Sequence, residues 1–82
     1  MDSIVNTMSP HLVKRSLAIA GHKTSLALEP EFWSALEDEA QARRTPISRL
    51  VAEIDAGRGV AVPGRSLASA VRVWLLTQRE RA

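Results

Sequence analysis

Cysteine is absent from the sequence, which excludes disulfides and thiolate metal sites as supports for the fold. Histidine is scarce. His11 and His22 are too few to build a metal cage, and no cofactor is expected. No apolar run approaches the roughly 20 residues of a membrane span. The opening residues, Met1 to Thr7, lack the basic segment and apolar stretch of a secretory signal. These absences lead to the expectation of a soluble, cytoplasmic protein with no membrane partner. With 82 residues the chain is at most one small domain, with a poor ratio of core to surface. Since disulfides and metal are excluded, oligomerisation is the expected source of added stability.

Acidic charge is confined largely to one stretch. Residues 1–28 carry three basic side chains against one acidic, residues 29–45 five acids against two arginines, and residues 46–82 six arginines against three acids. The net charge of +2 therefore hides a segregated pattern, basic at both ends and acidic between. Such segregation is compatible with nucleic acid without demanding it.

Residues 1–12 show no periodicity and are expected to form a flexible tail, leaving residues 13–82 as the domain. Val13, Leu17 and Ile19 alternate weakly, interrupted by Arg15, which leaves open a strand or a disordered arm over 13–19. Gly21 permits a turn. From Lys23 the alternation is clean: Thr24, Leu26 and Leu28 share one face, and Lys23, Ser25 and Ala27 the other. A lone strand needs a partner, and the same strand of a second copy is the expected one. Pro30 suits the first position of a helix running to about Ala42, with Phe32, Leu36 and Ala40 on one face and Trp33 beside them. Thr45-Pro46 repeats the start signal, with Thr45 as N-cap, and Ile47, Leu50, Val51 and Ile54 follow a helical period. Gly57 and Gly59 are expected to end that helix, and residues 57–66 to form a loop. Ser66 can cap a C-terminal helix over 66–80, whose stripe of Leu67, Ala70, Val71, Trp74 and Leu75 is widened by Val73 and Leu76. That is more apolar surface than one small monomer needs. No internal repeat is evident.

Three segments carry a family likeness: Gly21-His22-Lys23-Thr24-Ser25, Leu28-Glu29-Pro30-Glu31-Phe32-Trp33 and Leu50-Val51-Ala52-Glu53-Ile54-Asp55. Together they resemble the ribbon-helix-helix superfamily of bacterial repressors, the Arc/MetJ group. They are most like a subgroup of small members in which a helical stretch like Leu67 to Val73 follows. The resemblance implies a mostly α fold with one short N-terminal β-strand and an extra C-terminal helix. It also implies an intertwined homodimer with an antiparallel two-stranded intermolecular ribbon lying in the major groove of double-stranded DNA, with tetramers on DNA left open. Carried onto this sequence, the base-contacting positions are Lys23, Ser25 and Ala27. Lys23 can donate to guanine, Ser25 can donate or accept, and Ala27 is limited to apolar contact. Thr45, Ile47, Ser48 and Arg49 match the helix start that holds a phosphate, where free N–H groups and the positive end of the dipole attract an anion. Lys14 and Arg15 are read as a basic arm on the phosphate backbone.

The remaining features have bland readings. Leu26, Leu28, Phe32, Trp33, Leu36, Leu50, Val51 and Ile54 are assigned to the core and dimer interface. Glu37-Asp38-Glu39 is read as a solvated face, and Arg43 and Arg44 as helix-end charges. Ser16, Ser25 and the histidines form no nucleophilic triad, and residues 57–64 lack the Gly-Lys-Ser/Thr ending of a phosphate loop. No enzyme is expected. The function expected is a sequence-specific DNA-binding transcriptional regulator, a repressor or autoregulator. The alternative is an antitoxin-like interaction module that binds a protein partner through its C-terminal helix.

Overall fold

The computed structural model describes residues 11–61 and 64–81, with side chains placed for all of these except 59–61 and 81. The tail expected over 1–12 lies almost wholly outside the described residues. Two strands, β1 (Val13–Ile19) and β2 (His22–Leu28), are followed by three helices, α1 (Pro30–Ala42), α2 (Ile47–Ala61) and α3 (Leu67–Arg81). No helix among the described residues is long and apolar enough to cross a membrane.

Residues 13–19 are a strand, and they settle where β2 finds its partner. β1 pairs with β2 antiparallel within the chain, from Val13 opposite Leu28 to Ile19 opposite His22. The partner strand expected from a second copy is thus supplied by the same chain. The reason is the turn. Ala20 and Gly21 both have positive φ, 51° and 83°, the signature of a two-residue type I′ hairpin whose twist matches that of the strands. Closing so short a loop costs far less entropy than recruiting a second chain. Reading periodicity alone undervalued β1 because Arg15 falls on its apolar face.

The hairpin lays that face on the helices. Ile19, Leu26 and Leu28 join Trp33, Leu36, Leu50, Val51, Ile54, Val71 and Leu75 in one buried cluster that draws on all five elements. Of the residues assigned to core and dimer interface, only Phe32 keeps appreciable exposure. The other seven are buried by their own chain and leave almost no area for a second copy. The Trp33 indole donates to the carbonyl of Val13 at 2.7 Å, fixing the start of β1 on α1. α3 supplies Ala70, Val71 and Leu75 to the core. Its other face leaves Val73 and Leu76 44% and 59% exposed, as the width of the stripe anticipates.

Helix limits follow from capping. Pro30 is the first residue of α1, and the Glu29 carbonyl accepts from Phe32 and Trp33. At the other end Thr45 N–H donates to the Ala40 carbonyl and Arg44 N–H to that of Gln41, a Schellman closure with Arg44 at φ 52°. α2 starts one residue later than expected. The Pro46 carbonyl accepts from Arg49 and Leu50, while the Thr45 hydroxyl donates back to the Arg43 carbonyl at 3.0 Å, so Thr45 is not the N-cap. α2 also runs through Gly57 and Gly59 to Ala61, which replaces the first part of the expected loop. Two helical glycines cost about 1 kcal/mol each without forcing a stop. Arg58 supports this turn through Asp55 at 2.7 Å and the Arg65 carbonyl at 3.3 Å. Ser66 caps α3 as expected, its Oγ accepting from Ser69 N–H at 3.1 Å.

Ala20 and Arg44 hold left-handed backbone conformations that side chains other than glycine, asparagine and aspartate resist. Ala20→Asn and Arg44→Gly should each raise unfolding free energy by about 0.5–1 kcal/mol, read as a higher denaturant midpoint at unchanged slope.

Candidate nucleic-acid interface

The hairpin has two faces of opposite character. Inward lie Val13, Arg15, Leu17 and Ile19 of β1 and Thr24, Leu26 and Leu28 of β2. Outward lie Lys14, Ser16 and Ala18, and Lys23, Ser25 and Ala27. All six outward residues are exposed except Ala27, which is half-buried. The register sets Lys14 opposite Ala27, Ser16 opposite Ser25 and Ala18 opposite Lys23. The three residues expected to touch bases thus share a face with three from β1 that the sequence reading did not group with them. The missed signal is a repeat. Lys14-Arg15-Ser16-Leu17-Ala18 recurs nine positions later as Lys23-Thr24-Ser25-Leu26-Ala27. It escaped notice because it is shorter than the repeats that build folds and gains meaning only from strand pairing.

Lys14 and Arg15 part company. Lys14 faces outward. Arg15 lies on the packed face, its guanidinium 4.3 Å from the Trp33 ring centroid and 3.0 Å from Glu37. That geometry removes Arg15 from the outer face and gives it a structural task, neutralising an acid beside the ribbon. Glu39 is likewise engaged, by Arg43 at 3.3 Å. The acidic face of α1 is therefore partly paired. Arg43 also stacks on Trp74 at 4.9 Å and donates to Gln78 at 2.9 Å, so it ties α1 to α3 rather than serving only as a helix-end charge.

The start of α2 keeps the features of an anion cradle. Ile47 and Ser48 are its first two residues, whose N–H groups have no acceptor within the helix. Ile47 packs against the core, so it offers its backbone only. Thr45 and Ser48 are half-buried, and Arg49 is exposed. At the junction of β2 and α1, Arg72 donates to Glu29 Oε1 through Nε at 3.0 Å and through a terminal nitrogen at 2.9 Å. A hydrogen bond from its own backbone, then the Arg72 guanidinium, hold the Glu29 carboxyl below its ordinary value. This clamp anchors α3 to the base of the ribbon.

A ribbon presenting lysine and serine outward, two helices behind it and a free helix start define a recognisable class. The sequence matches the family described as "Ribbon-helix-helix domain" over residues 12–79. The chain belongs to that family, which generally comprises DNA-binding regulators and antitoxins. No curated protein and no solved structure matched it.

The Glu29–Arg72 pair sets a pH test. With the carboxyl pKa lowered on folding, its stabilisation is present above the unfolded value near 4.5 and is lost as pH falls through the lower folded value. Wild type should be more stable than Glu29→Gln at pH 7, and the gap should close below pH 4.5 in urea titrations.

Proposed function

We propose that this chain is a DNA-binding transcription regulator, a repressor or autoregulator, which inserts the outer face of its hairpin into the major groove. The observation that carries this reading is the outer face itself. Lys23 and Ser25 stand exposed and side by side, on a ribbon whose other face is fixed to the helices. The major groove is wide enough for a two-stranded ribbon, and lysine and serine are residue types that read base edges there. Ile47, Ser48 and Arg49 supply the phosphate contact that sets orientation. Lys14 joins the outer face, while Arg15 stays with the fold.

A second reading concerns association. Ribbon-helix-helix proteins generally bind DNA as dimers. In this chain the exposed Val73 and Leu76 on α3 support a contact there. Val73 forms a ridge between two shallow apolar grooves, one reaching Ile54 and Trp74, the other Phe32 and Leu75. A second copy of the chain would occupy this face in a homodimer; a heterologous protein would occupy it in an antitoxin-like module. Deleting α3 would not separate the two, because it also removes core residues.

Duplexes selected from a random pool should be enriched in a defined motif by the wild type and not by Lys23→Glu. Affinity should fall steeply with salt, and Lys23→Ala should cost about 1–3 kcal/mol on the best sequence. Equal enrichment by Lys23→Glu would reject the ribbon as the reader. For the second reading, Val73→Glu with Leu76→Glu should leave a folded monomer by sedimentation if a second copy docks there. An unchanged oligomeric state would reject it.

A further inference from the structure

The interior of α2 holds a glycine that its own chain does not require. Gly57 has no positive φ, and a methyl group there would meet nothing within 4 Å. Alanine would serve the helix better, because glycine loses more backbone freedom on folding. What glycine offers instead is bare backbone, which lets another molecule come close. Gly57 lines a groove of about 460 Å³ between α2 and α3, inside the range of about 300–1,000 Å³ that small-molecule sites occupy.

The groove has an apolar floor and polar ends. Leu50 and Ile54 of α2 and Ala70 of α3 form the floor, all buried, with the half-buried Trp74 beside them. At one end Arg58 donates to the Arg65 carbonyl at 3.3 Å, which ties α2 to the approach of α3. At the other end Arg43 donates to Gln78 at 2.9 Å and lies 4.9 Å from the Trp74 ring centroid. These two bridges bound the groove along its length. A partner helix needs an open trough; a bounded one of this volume suits a small molecule.

The charges decide which kind. Arg43 is already held by Glu39 at 3.3 Å, and Arg58 by Asp55 at 2.7 Å. Among the described residues, no side-chain hydrogen bond or ion pair engages Arg65. Glu53, the one acid among the described lining residues, stands exposed one helical turn before Gly57. An anionic head is therefore favoured at the Arg58–Arg65 end, where two guanidiniums meet one carboxylate, and disfavoured beside Glu53. A planar guanidinium matches a carboxylate with two parallel hydrogen bonds. We propose that this groove binds a small amphipathic carboxylate. Its head sits on Arg65 and Arg58, and its apolar chain passes over Gly57 toward Leu50 and Trp74. The site stands apart from the DNA-binding reading, which uses the ribbon, and it leaves the ridge of Val73 and Leu76 to the contact considered above.

Octanoate and the neutral octanamide are the probes, titrated into the full chain and followed by amide NMR, with Trp74 emission as a second readout. Octanoate should saturate and shift the amides of Ile54, Gly57, Arg65 and Trp74 as one set. Replacing octanoate by octanamide, or Arg65 by alanine, should each weaken binding by about 10- to 150-fold, the loss expected when a hydrogen bond to a charged group is removed. Arg65→Ala should leave the affinity for octanamide unchanged. Gly57→Ala should raise the melting midpoint of the free protein and yet weaken octanoate. Equal affinity for the two probes would mean an apolar surface without anion recognition and would overturn the proposal. Shifts scattered outside the groove would do the same. So would a Gly57→Ala chain that melts lower, showing that the fold needs the glycine, or one that binds octanoate as the wild type does. If octanoate fails to saturate a chain that still selects a DNA motif, the proposal falls and the DNA-binding reading stands.

Discussion

The two-residue turn at Ala20-Gly21 is the constraint on which the ribbon depends. Its positive φ angles fix the register of β1 against β2, and register decides which side chains face out. Because side chains alternate strictly along a strand, a shift of one residue would send Lys14, Ser16 and Ala18 into the core and Arg15 and Leu17 into solvent. The turn therefore governs the chemistry of the surface from the far end of the hairpin. The Trp33 indole secures the opposite end on Val13, and the Arg72–Glu29 pair secures the point where β2 passes into α1. Between these anchors the ribbon is held as a platform.

Much of this was legible in the sequence, and the exceptions share a cause. α1 runs from Pro30 to Ala42 as its proline start and four-residue spacing imply, and Ser66 caps α3 as expected. These features are local, and local rules suffice for them. The misread features depend on contacts across the chain. β1 was ambiguous because Arg15 breaks its apolar alternation. That break makes sense only once Trp33 and Glu37 are seen beneath it. The end of α2 was placed too early because glycine was weighed without the support that Arg58 draws from Asp55 and Arg65. Thr45 carried a cap signal, yet its hydroxyl turned back to Arg43 because the chain there is closing α1.

The candidate site divides along the same line. Alternation put Lys23, Ser25 and Ala27 on one face and the family resemblance named them as base contacts; the structure places the three together on the outward face. Their counterparts on β1 were invisible without the pairing, since neither the pattern of β1 nor its place in the fold could be judged from period. Charge segregation was read correctly as a pattern and incompletely as a mechanism. The acids of α1 are not merely kept away from the ribbon. Glu37 is neutralised by Arg15, an arginine first assigned to the phosphate backbone. The positive character of the outer face rests on Lys14 and Lys23, both exposed.

Among the described residues the sheet has two strands and no interior one, so β1 and β2 each keep one lateral row of backbone N–H and C=O groups outside the ladder they form. Such rows are templates for another strand, and proteins commonly guard them with lysine. Lys14 and Lys23 sit diagonally across the ribbon, one on each strand, so each edge has its own guard. The charges that suit this surface to a groove also restrain it from stacking into fibres, and a chain relieved of both lysines would carry an unguarded seam on either side.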